Sequence, residues 1–145
     1  MTIITDLPDI LQKDLETKWE AFKDSAKKAG IHLSQDPPIL DALQRVLALS
    51  RFVAENGIRK PALISDLIDS GDLHARYQPG AMAGRLRVCL GSVEDQSGLA
   101  TELRRFRRAQ MVRIIWRDLV GRAELAETLE DLSELADQAI RHALE

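Results

Sequence analysis

Residues 97–120, SGLATELRRFRRAQMVRIIWRDLV, decide how this chain is read. The stretch has no proline and no glycine after Gly98, and is long enough for about six helical turns. Placed on a helix, Leu99, Leu103 and Phe106 share one face, with Arg104 and Arg108 nearly opposite. In the second half the pattern inverts. Arg113 and Arg117 continue the Leu99–Leu103–Phe106 face, whereas Val112, Ile115, Trp116 and Leu119 fall on the side that was basic before. A surface helix keeps one apolar stripe from end to end. A helix whose stripe changes sides must touch different neighbours along its length, so this segment predicts a central helix over about 95–120.

The flanking segments extend that expectation. After Gly121, Leu125, Leu129, Leu132, Ala136, Ala139 and Ala143 alternate spacings of four and three, which predicts a last helix over about 123–144 with a narrow seam for one partner. The short connection makes it antiparallel to the central helix. Folding the pair about Gly121-Arg122 sets Arg113 near Glu130, Arg117 near Glu127 and Arg108 near Glu134. Upstream, Thr5 or Asp6 with Pro8 opens a first helix whose core positions are Ile10 or Leu11, Leu15, Trp19, Phe22 and Ala26, closed by Lys27, Lys28 and Gly30. Ser34 or Asp36 caps a second, begun by Pro37 and running through Ile39, Leu40, Leu43, Val46, Leu47 and Val53 to a stop at Asn56-Gly57. Pro61 to Ser70-Gly71 is a short third helix. Gly71–Gly80 is irregular, and Met82, Leu86, Cys89 and Leu90 mark a fourth. No strand alternation or hairpin signal appears. The expectation is an all-α bundle of about six helices, one domain over residues 1–145.

Composition bounds the function. The apolar fraction of 45% and charged fraction of 30% describe a soluble globular chain, and no apolar run approaches a bilayer span. The opening MTIITDLPDI lacks the basic start and apolar core of a signal peptide, and one cysteine allows no internal disulfide. Both point to the cytoplasm, with no membrane contact. The net charge of −3 hides an asymmetry. Residues 100–122 hold seven arginines against Glu102 and Asp118, a balance of +5; residues 123–145 hold seven acids against Arg141, a balance of −6.

The arginine cluster Arg104, Arg105, Arg107 and Arg108, with Arg113, is the candidate interaction surface, because guanidinium forks match carboxylates and phosphates. Nucleic-acid binding asks for a basic domain with stacking aromatics. Here the domain is acidic and aromatics are 4%, so pairing with the last helix or with a protein partner is favoured. His32, His74 and His142 are scattered and show no metal-ligand spacing. Cys89 falls on the apolar side of its helix and reads as a buried structural cysteine, and Trp19 and Trp116 read as packing residues. Gly80-Ala-Met-Ala-Gly84 lacks the Lys-Ser/Thr of a phosphate loop, and the carboxylate pairs read as solvated faces. No catalytic, cofactor-binding or metal-binding residue is assigned. A helical adaptor binding an acidic protein through its arginines is the alternative reading.

Leu103-Arg104 with Phe106-Arg107-Arg108, then Met111-Val112-Arg113-Ile114 with Trp116, then Leu129, Leu132 and Ala136 form an extended pattern. From Gly98 to Leu144 the chain resembles the helical region near the N-terminus of bacterial glutamine synthetase adenylyltransferase, the bifunctional enzyme that adds and removes AMP on glutamine synthetase. Ser50-Arg51-Phe52-Val53 and the Pro61–Asp69 segment echo that family's preceding helices, while the first 35 residues match nothing in it. The resemblance implies a fragment preceding a nucleotidyltransferase-like catalytic domain, with a non-catalytic role of supporting that domain or docking glutamine synthetase. It implies as partners the remainder of the enzyme, glutamine synthetase and the PII signal protein. It also implies Mg and ATP for the parent enzyme, and a role in nitrogen regulation. The family's Gly-rich Gly-x-Gly-Lys-Leu-Gly-Gly and Ser-Asp-x-Asp motifs are absent here: Ser65-Asp66-Leu67-Ile68-Asp69 has a different spacing and lies on a helix. No catalytic or metal residue carries over.

Overall fold

The computed structural model describes residues 7–144, with side chains over 7–142. Its elements are α1 (Asp9–Lys28), α2 (Pro37–Leu49), α3 (Arg51–Arg59), α4 (Pro61–Ser70), a single 3-10 turn (Asp72–His74), α5 (Ala81–Leu90), α6 (Gln96–Leu119) and α7 (Leu125–Leu144). Among the described residues there is no strand. No helix among them is long and apolar enough to cross a membrane.

α1 buries Leu15, Trp19, Phe22 and Ala26, the expected stripe, with the Trp19 and Phe22 rings stacked at 6.0 Å between centroids. Thr5 and Asp6 lie outside the described residues. The single helix expected from Pro37 to Asn56 is two. Ser50 takes an extended conformation, ends α2, and its hydroxyl accepts from the Val53 N–H at 3.2 Å, capping α3. Asn56-Gly57 is accordingly no stop. Both residues are buried inside α3, and a Cβ on Gly57 would lie 2.5 Å from Ile64 Cδ1 and 3.5 Å from Phe22 Cε2. The glycine admits α4 and α1 at close range, a packing role that looks like a helix breaker in the bare sequence. α3 ends instead at Lys60, the residue before Pro61, where the proline ring disfavours helical geometry.

α6 serves two hydrophobic cores. The larger joins α1–α4 and Leu73 to Val112 and Trp116 on the second half of α6. The smaller joins Tyr77, Met82 and Leu86 to Phe106, Ile114 and Leu135. The change of side in the apolar stripe of α6 is thus the imprint of two cores on one rod. α6 ends at Leu119 and is closed off at Gly121, where φ of +74° suits glycine, and the Arg122 N–H returns to the Arg117 carbonyl at 2.9 Å. The chain then doubles back as α7.

Two expectations are corrected at this end of the molecule. The seam of α7 is not the leucine line: Leu125 and Leu129 are 70% and 54% exposed and Ala136 is exposed, while Glu127, Asp131 and Leu135 are buried. Leu132 and Ala139 are half-buried, and Ala143 lies outside the described side chains. The cause is electrostatic. Two arginines of α6 point inward and require carboxylates, which rotates α7 to present its acids. Cys89 is likewise exposed, because α5 turns Met82 and Leu86 inward and leaves Val88 and Cys89 outside.

Candidate functional site at the α6–α7 seam

Arg113 is fully buried and is the largest such side chain in the protein's described portion. A buried guanidinium needs acceptors for its fork of donors. Nη1 donates to Asp131 Oδ2 at 2.9 Å, Nε to the Asp72 carbonyl at 3.1 Å, and Nη2 to the Ala75 carbonyl at 2.5 Å. Its flat face lies on the Tyr77 ring, 3.3 Å from the centroid, and the Arg85 guanidinium lies 4.1 Å from the same centroid while pairing with Asp72 at 3.2 Å. One turn on, Arg117 grips Glu127 with two hydrogen bonds of 2.9 and 3.2 Å and donates to the carbonyls of Leu73 and Arg122 at 3.1 and 3.3 Å. Arg76 approaches Glu127 and Glu130 from the rim at 3.7 and 3.8 Å.

These contacts tie three separate segments together: α6, α7 and the Asp72–Tyr77 connection. The antiparallel register expected from sequence is nearly the observed one, with Arg117 on Glu127 as anticipated and Arg113 on Asp131 rather than on its neighbour Glu130. The hydrogen bonds from Arg117 hold the Glu127 carboxyl below its ordinary value of 4.5; burial opposes them, and the charges of Arg117, Arg76 and Arg113 add. Burial pushes the Tyr77 hydroxyl above its ordinary value, partly offset by the hydrogen bond that Gln110 Nε2 donates to it at 3.1 Å.

The candidate interaction residues therefore divide. Arg113 is a structural clasp and not a surface contact. Arg104, Arg105, Arg107 and Arg108 are exposed on the first half of α6. Arg105 reaches Glu102 at 3.7 Å, but Arg104, Arg107 and Arg108 make no ion pair among the described residues, so the expected Arg108–Glu134 pairing does not form. Glu134 instead faces the Gly80 N–H at 3.4 Å. His32, His74 and His142 sit on a loop, the 3-10 turn and α7. No group of three or more residues able to hold a metal occurs among the described residues. The carbonyls of Asp72, Leu73 and Ala75, and the Tyr77 ring, were not legible as arginine partners. The one hint was that Arg113 and Arg117 prolong an apolar face.

The family model described as glutamate-ammonia ligase adenylyltransferase matches residues 40–145. The chain is similar to proteins named bifunctional glutamine synthetase adenylyltransferase/adenylyl-removing enzyme. That of Thioalkalivibrio sulfidiphilus is 39% identical over 94% of this chain and 14% of its own length, so the match reaches into the first 35 residues, which the sequence alone left unmatched. That of Pseudomonas putida is 39% identical over 96% of this chain and 14% of its own, and that of Pseudomonas aeruginosa 45% identical over 73% and 11%. The chain thus spans about one seventh of the length of the curated relatives it matches. No solved structure matches it.

Proposed function

As the chain belongs to the glutamate-ammonia ligase adenylyltransferase family, we propose that it is the non-catalytic helical N-terminal part of a bifunctional adenylyltransferase/adenylyl-removing enzyme. Its role is to dock glutamine synthetase beside the catalytic portion, within the cytoplasmic regulation of nitrogen assimilation. One observation carries this reading. The inward arginines, Arg113 and Arg117, have their donors taken up by α7 and the Asp72–Tyr77 connection, while Arg104, Arg107 and Arg108 stand outward without a carboxylate among the described residues. The first set makes a rigid platform, and the second is a charged face held out on it. Mg and ATP belong in this reading to the catalytic portion, and the PII signal protein is a further partner of the whole enzyme.

The test is to titrate the protein onto purified glutamine synthetase, unmodified and adenylylated, by sedimentation velocity, and to assay AMP release in the same mixtures. The expected result is a complex with no AMP released. AMP release by this chain alone would overturn the non-catalytic assignment, and the absence of a complex with either form would overturn docking.

A further inference from the structure

Between the first half of α6 and the second half of α7 the surface dips into a cavity of about 230 Å³. Its floor is apolar: Leu103 and Phe106 from α6, Leu135 and Ala139 from α7. Arg104 and Arg107 stand on its rim, exposed and without an ion pair among the described residues. A solvated charge face is convex and polar throughout. Here two cations flank an apolar trough, which is the complement of a segment bearing both an apolar stripe and negative charge.

We propose that this groove is a docking site for an acidic amphipathic helix of a partner protein, whose apolar side chains enter between α6 and α7 while its flanking carboxylates meet Arg104 and Arg107. The proposal rests on the docking reading above and names the chemistry of the docked segment. Carboxylates answer the charge, since the guanidinium forks of the rim pair with them directly. An apolar stripe answers the floor, which a polyanion leaves uncovered. A nucleic acid would ask for stacking aromatics beside the arginines. Of the six aromatic residues, Trp19, Phe22, Tyr77, Phe106 and Trp116 are buried, and Phe52, the exposed one, lies on α3.

The test uses the 145-residue protein and fluorescence anisotropy of a labelled helical peptide of about five turns, with leucine at alternating spacings of three and four and glutamate elsewhere. A lysine-for-glutamate version is the control. The glutamate peptide should bind saturably and the lysine peptide should not. The double variant Arg104→Glu/Arg107→Glu should weaken binding at least about tenfold, with the thermal melt unchanged because both side chains are exposed, and added salt should weaken the wild type. Ala139→Trp, which fills the floor, should weaken binding with the arginines intact; where that variant melts early, the arginine pair decides. Equal binding of both peptides, binding unaffected by the double variant, or displacement of the peptide by duplex DNA at lower concentration would each overturn the groove assignment. The two proposals fail separately. Glutamine synthetase bound equally by wild type and double variant keeps the docking role and removes the groove; the peptide bound without glutamine synthetase keeps the groove and removes that partner.

Discussion

The guanidinium carbon of Arg113 sits 3.3 Å from the centroid of the Tyr77 ring, so a charge at the centre of the molecule is covered by an aromatic face and by carbonyls as well as by Asp131. Removing it strands a buried carboxylate. Arg113→Leu should cost about 3–5 kcal/mol in urea unfolding. Adding Asp131→Leu should recover part of that loss. Recovery is partial because the Ala75 carbonyl is left without a donor and the Asp72 carbonyl keeps only the Ala75 N–H at 3.3 Å, and full recovery would show that the two hydrogen bonds from Arg113 contribute nothing.

Glu127 makes stability depend on acid. Its folded carboxyl titrates below 4.5, held there chiefly by Arg117. Above that pH both folded and unfolded forms are ionised and the stabilisation is complete. Below it the unfolded chain takes up the proton first, and the stabilisation shrinks until the folded group is protonated. Glu127→Gln should be less stable than the wild type at neutral pH, with the gap closing as pH falls toward about 3. Parallel urea melts at the two pH values check it; a constant gap would contradict it.

Gly57 tests the close approach of α3 and α4. Alanine gains about 1 kcal/mol in helix propensity, but its Cβ meets Ile64 Cδ1 inside a packed core. Overpacking of this kind costs about 1–3 kcal/mol, so Gly57→Ala should be neutral to destabilising by about 1–2 kcal/mol. Ile64→Val removes the offending atom, and the double variant should melt above Gly57→Ala alone.

Phe106 is 7% exposed and belongs to the smaller core as well as to the groove floor. Phe106→Ala should lower stability by about 3 kcal/mol or more. A loss under about 1 kcal/mol in a urea melt would place the side chain outside the core.

How much of this was legible in the sequence differs by element. The stripes of α1 and α2 were readable because each helix turns one apolar face into the same larger core. The two roles of α6 were readable as a reversal of pattern at mid-helix, and the antiparallel α6–α7 register followed from the short connection and opposed charges. The facing side of α7 was misread, since a leucine seam outranks an acidic one until Arg113 and Arg117 are known to point inward. Ser50 is inconspicuous because the apolar spacing resumes beyond it at Val53, and its cap is a single hydroxyl. Cys89 followed the average habit of cysteines, whereas α5 has only Met82 and Leu86 at its buried positions. The candidate site was half legible: Arg104, Arg105, Arg107 and Arg108 are on the surface, but the groove beside them needs Leu135 of α7, which lies outside the expected leucine-alanine seam.

The sharing of α6 between two cores bears on how the protein melts. Trp19 and Trp116 both lie in the larger core, and the single tyrosine, Tyr77, lies in the smaller. Each core therefore has its own optical reporter. Val112 and Ile114, two residues apart on one unbroken helix, point to different sides and belong to different cores. Members of the two cores interleave over residues 111–116, so unwinding that segment withdraws partners from both. Indole fluorescence and tyrosine absorbance should then trace one coincident unfolding transition, the signature of two cores bound into a single cooperative unit.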